Sequence, residues 1–183
     1  MKQIIAIIGL LTISLSHVQA QKWMTRTGKV SFFSSTPVEN IEAFNNEAAC
    51  VVESKNGEVV FIVPIKSFRF EKALMQEHFN ENYMESDKFP KAQYKGKITN
   101  IQSLNFSKDG SYQVNTQGKL TIHGVTRDVT VPGTIIISGG VATIKTKFMV
   151  APADYGIKIP SITASKIASN IEITINAQLK ETK

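Results

Sequence analysis

The sequence predicts a mainly β chain, closed into an antiparallel barrel or folded as a two-sheet sandwich, with one short amphipathic helix packed on it. Three observations carry this expectation. Apolar residues recur at every second position in several runs, glycine-containing dipeptides separate those runs, and one stretch alone switches to helical spacing.

In chain order, Lys2 precedes an apolar run from Ile4 to Leu15, and Ser16-His17-Val18-Gln19-Ala20 follows. A basic start, a short apolar core and a small-residue end form the pattern of a secretory signal peptide cut after Ala20. The run is shorter than the ~20 apolar residues of a membrane-spanning helix. No cysteine stands at the expected first mature position, so a lipoprotein anchor is unsupported. Residues 1–20 are therefore expected to be a leader and 21–183 a single soluble domain, periplasmic or secreted.

Cys50 is the only cysteine. That excludes an internal disulfide and a cysteine-based zinc site, and the surrounding Ala48-Ala49-Cys50-Val51-Val52 reads as buried wall. Between Phe68 and Pro90, Met75, Phe79 and Tyr83 fall four apart among good helix formers, which predicts a helix over 71–84. Strands follow. Tyr112, Val114, Thr116, Leu120 and Ile122 share one face, Ile144, Phe148 and Val150 share another, and 169–180 alternates with Ile171, Ile173, Ile175, Ala177 and Leu179 inward. Asn56-Gly57, Asp109-Gly110 and Gly139-Gly140 read as tight hairpin turns.

In "GKLTIHGVTRDVTV", residues 118–131, the apolar phase flips from even to odd positions around His123-Gly124. With 118–122 and 127–131 as paired strands, a tight turn at His123-Gly124-Val125-Thr126 resets the inward parity in this way, so His123 reads as a turn residue whose side chain contributes little. No nucleophile-elbow, zincin or phosphate-loop motif is present. Glu77, His78 and Glu81 share a helix surface and could form a metal or acid–base cluster, as Glu81 and Glu85 could form a carboxylate pair, but a solvated helix face explains both. The expectation is a protein that is not an enzyme and carries neither metal nor cofactor. The whole chain has formal charge +6, of which Lys2 supplies one, and its lysines are scattered, so a nucleic-acid face is not indicated. A transient contact with a membrane surface and a homodimer are both compatible with this composition.

The same 118–131 stretch resembles the most recognisable element of the YceI-like family of exported lipid-binding proteins. "DYGI" at 154–157 is similar to that family's aspartate-aromatic-glycine-aliphatic element, and "DKFP" at 87–90 to its approach to the following strand. Ser67-Phe68-Arg69-Phe70 departs from the family's Arg-Asp-rich lead into the helix. The resemblance implies an extended lipocalin-like antiparallel β-barrel whose apolar tunnel holds an isoprenoid or fatty amphiphile. Candidates for the tunnel wall are Phe61, Val63, Phe68, Phe70, Tyr94, Leu120, Ile122 and Phe148, with Leu74, Met75, Phe79 and Tyr83 from the helix. His123, Arg127, Asp154 and Tyr155 are candidates for polar or structural roles at a barrel end. Two other readings stand beside this one: a ligand-free structural or stress-related envelope barrel filled by its own side chains, and a hydrolase or metal enzyme using His78 and Glu77.

Overall fold

The computed structural model describes residues 21–182, and the expected leader lies outside them. Nine strands form one antiparallel sheet: β1 (Lys22–Ser35), β2 (Asn40–Glu53), β3 (Glu58–Pro64), β4 (Arg69–Phe70), β5 (Lys91–Ile98), β6 (Gly110–Ile122), β7 (Val125–Ser138), β8 (Val141–Val150) and β9 (Ile171–Thr182). The order is β1-β9-β8-β7-β6-β5-β3-β2, and β1 pairs with β2 as well, which closes eight strands into a barrel with the short β4 added beside β2. Closure leaves no free pair of sheets, so the sandwich alternative is excluded. An eight-stranded barrel is wide enough for packed side chains or for one slender ligand.

The barrel has two unlike ends. At one, the chain turns back through 54–57 and 139–140 and through a longer connection, 99–109, that folds inward. Trp23 stacks on Phe106 there, ring centroids 5.2 Å apart, and Val52, Ile98, Ile137, Ala142 and Leu179 are buried around them. Gly57, Gly139 and Gly140 take positive φ as turn glycines do. Asp109-Gly110 does not form the expected turn. Gly110 opens β6, while both carboxylate oxygens of Asp109 accept from Gly139 N at 3.3 Å across the end of the barrel. The run looks like a hairpin turn in sequence because Asp-Gly is equally good at ending a loop.

At the other end the connections are 36–39, 65–90, 123–124 and 151–170. The second carries the helix α1 (Ala73–His78), which continues as a π-helical turn, Phe79–Tyr83. The helix starts two residues later than its spacing predicts, since Lys72 is extended and supplies no side-chain cap. It ends in a widened turn in which Met84 N donates to Phe79 O at 2.9 Å. Among the described residues no helix is long and apolar enough to cross a membrane.

Candidate functional site

The inward phase of the strands decides what faces the barrel axis. Register sets Phe61 opposite Tyr94 and Tyr94 opposite Leu120, so these three stand level across β3, β5 and β6. Space for the tyrosine comes from its neighbours: Gly96 faces Gly118 across the same two strands, and a Cβ on either would collide, the first with the Tyr94 ring and the second with the β5 backbone. The ring can therefore lie against the wall rather than fill the centre. What remains is a cavity of about 550 Å³, within the ~300–1,000 Å³ range usual for small-molecule sites.

Val59, Ile98, Val114, Ile135 and Ile144 form the floor of this cavity toward the closed end. All twelve wall candidates named from the sequence border it: Phe61, Val63, Phe68, Phe70, Leu74, Met75, Phe79, Tyr83, Tyr94, Leu120, Ile122 and Phe148. Phe79 joins an aromatic cluster, its ring 5.4 Å from Phe32, 5.6 Å from Phe68 and 5.1 Å from Phe70. Phe32 is the member that sequence reasoning missed. It sits in Phe32-Phe33, where two adjacent rings hide which one takes the inward phase.

Polar atoms are few and lie mostly at the mouth. Lys72 Nζ pairs with Glu39 at 3.4 Å, Tyr83 Oη donates to Thr163 Oγ1 at 3.3 Å, and Ala168 N donates to Ser34 Oγ at 2.9 Å. These bonds tie the helix, the 36–39 turn and the 151–170 loop around one opening. That loop is a second feature missed in the sequence: its Ile157, Ile159 and Ile167 line the cavity although it is not a strand. Deep in the wall, Tyr94 Oη makes no hydrogen bond of ordinary geometry, and the hydroxyl of neighbouring Thr116 is committed to Val131 O at 3.1 Å. Burial pushes the Tyr94 phenol up, with Thr116 partly opposing.

The four polar end candidates do come together, but none borders the cavity. His123 occupies the two-residue turn between β6 and β7, where Ile122 pairs with Val125, and it adopts φ 49° beside Gly124 at 75°. Its ring is not idle, contrary to the expectation for a turn side chain. Nε2 meets Glu85 Oε2 at 2.8 Å, Nδ1 lies 3.3 Å from Tyr155 O, and the ring packs edge-on against Phe89. Arg127 Nε donates to Asp154 O at 2.9 Å. Tyr155 is buried in the 3₁₀ turn Pro152–Tyr155 against Leu120 and Val150. Burial raises its phenol first, Asp154 adds to the rise and Arg127 opposes it. Together they clamp the β6–β7 hairpin to the 65–90 and 151–170 connections. His78 borders the cavity, and among the described residues no three His, Cys, Asp or Glu side chains gather to hold a metal.

A family model described as the YceI-like domain matches residues 12–179. Among solved structures, a polyisoprenoid binding domain from Saccharophagus degradans implicated in plant cell wall breakdown superposes with TM-score 0.77, covering 90% of this chain and 100% of its own at 12% identity. BcnA from Burkholderia cenocepacia gives 0.70 at 19% identity, covering 83% of this chain and 95% of its own. The YCEI protein of Campylobacter jejuni gives 0.54 at 15% identity, covering 100% and 94%. At these identities the likeness is one of fold. No curated protein matches the chain in sequence.

Proposed function

The chain belongs to the YceI-like family, and on that premise we propose that it is an exported binding protein that holds an isoprenoid or other long-chain amphiphile in its barrel, for transport or storage. The observation that carries this reading is the continuous apolar cavity running from the floor at Ile98 to the helix at Phe79. Such a space inside a closed barrel also argues against a barrel filled by its own side chains. The Saccharophagus degradans relative is a polyisoprenoid binding domain, which supports the ligand class.

Magnitudes say what the site selects. Each buried CH₂ contributes about 0.8 kcal/mol, whereas one neutral hydrogen bond to a head group adds ~0.5–1.5 kcal/mol. Tail length therefore dominates affinity, and Tyr94 Oη offers at most one polar contact along the wall. The test is a series of geraniol, farnesol and geranylgeraniol against ligand-stripped protein, with native mass spectrometry of the protein as purified. Affinity is expected to rise with each isoprene unit until the cavity is filled. No binding at any length, and no co-purifying lipid, would overturn the proposal.

A further inference from the structure

The described residues include six large apolar side chains that stand exposed: Phe33, Val38, Phe44, Leu74, Met149 and Ile162. All six belong to the open end. Val38 and Ile162 lie in its turns, Leu74 lies on the helix, and Phe33, Phe44 and Met149 lie on the adjoining ends of β1, β2 and β8. Their confinement to one end, around the mouth of an apolar cavity, sets that end apart from the rest of the surface.

Three isoleucines of the loop 156–170 turn inward to line the cavity, while Ile162 stands 85% exposed between them. The only charged residues in the loop are Lys158 and Lys166, and neither makes an ion pair among the described residues. Its acid-free, cationic and apolar tip complements an anionic lipid surface.

We infer that the open end docks end-on against an anionic bilayer with loop 156–170 leading, so that ligand passes between membrane and cavity without crossing water. This rests on the lipid-carrier reading. The apolar lining continues from the cavity onto the exposed tip, and a long tail leaving by any other route would present each methylene to water. A second copy of the chain is the weaker occupant: the six side chains are spread over the tip and around the outer wall, where a fluid surface can meet them all and a rigid copy meets one side. Lysines near an anionic surface contribute on the order of fivefold each in partitioning.

The experiment is flotation of the full chain with phosphatidylcholine vesicles, with and without phosphatidylglycerol, run beside geranylgeraniol binding in solution. The parent protein is expected to float with the anionic vesicles. Ile162→Glu is expected to cut the bound fraction about tenfold or more, and Lys158→Glu severalfold on anionic vesicles alone, both with unchanged geranylgeraniol affinity. Failure of the parent to float, or equal flotation of parent and Ile162→Glu, would overturn the docking. So would a concentration-dependent dimer that Ile162→Glu abolishes without any vesicle binding, which gives the patch to a second copy. If the parent fails to bind geranylgeraniol, the carrier reading falls instead, and flotation still decides the docking.

Discussion

At the closed end the chain reverses through short turns at 54–57 and 139–140, and the rings of Trp23 and Phe106 fill the space between the strands. At the open end it reverses through 65–90 and 151–170, and these longer connections bridge the opening instead of filling it. The side chains follow suit. Ile98, Val52 and Leu179 are wholly enclosed, whereas the helix has no fully buried residue at all. The barrel is therefore divided along its axis: a packed plug closes one end, and at the other a helix with no fully buried residue lies over the cavity. Local stability is expected to be lower at this cover than at the plug.

The sharpest way to break this comparison is at the plug. Trp23 is 3% exposed and stacked, so Trp23→Ala is expected to lower the unfolding free energy by about 3–5 kcal/mol, read by urea denaturation. A loss below about 1 kcal/mol would mean that the closed end is not where stability resides. Next comes Gly124, in the hairpin clamp. Its φ of 75° disfavours any side chain, and a Cβ there would stand 2.5 Å from Phe89 Cε1. Gly124→Val is expected to cost roughly 2–4 kcal/mol from strain and overpacking together. Gly124→Ala should recover part of that, because it keeps the Cβ contact with Phe89 but lacks the two γ-methyls and the β-branch that add to the strain.

The aromatic cover should respond differently. If Phe79 only completed a core, removing its ring would cost the full ~3–5 kcal/mol. Because it borders a cavity that already exists, Phe79→Ala enlarges that space instead of opening a new one, and a stability loss of about 1–2 kcal/mol is expected in ligand-stripped protein. Affinity should fall in the same variant, more for geranylgeraniol than for geraniol, since the lost contacts lie along the tail. Isothermal titration with both alcohols reads this. A Trp23-sized stability loss with unaltered affinities would place Phe79 in the plug's class.

How much of this was legible in the sequence depended on whether the signal was local. Alternation fixes the face of a strand residue by residue, so the inward runs at 112–122, 144–150 and 171–179 could be read directly, as the stripe Met75, Phe79 and Tyr83 could from helical spacing. The parity flip at His123-Gly124 was likewise enough to find the turn, but not its length: the expected connection 123–126 is two residues long, because Val125 and Thr126 pair into β7. The His123 clamp was not, because its partners Glu85 and Tyr155 lie 38 and 32 residues away and only barrel closure brings them together. Ile157 and Ile159 were missed for a related reason: in a loop, alternation has no sheet to give it meaning. Asp109-Gly110 misled because its chemistry suits a turn and a loop end alike.

The smallest expected effect tests whether the clamp at the open end contributes through a single buried phenol. Tyr155 has a folded-state pKa above the ordinary tyrosine value, mainly through burial, with Asp154 adding and Arg127 opposing. A raised value means that the folded state holds the phenolic proton more tightly than the unfolded chain does. Its contribution is therefore complete below the unfolded tyrosine pKa of ~10 and is lost as pH rises through the folded value. Tyr94 is raised in the same direction, so the alkaline slope of the parent protein belongs to both phenols. The difference between parent and Tyr155→Phe isolates the one group. That difference should be constant from neutrality to about pH 10 and then shift against the parent, which alone carries the Tyr155 phenol. Urea midpoints measured for both proteins between pH 7 and about 11 make the comparison. Curves that stay parallel throughout would mean that the phenol ionises as freely in the folded protein as in the unfolded chain, and that the segment around Tyr155 opens before the barrel does.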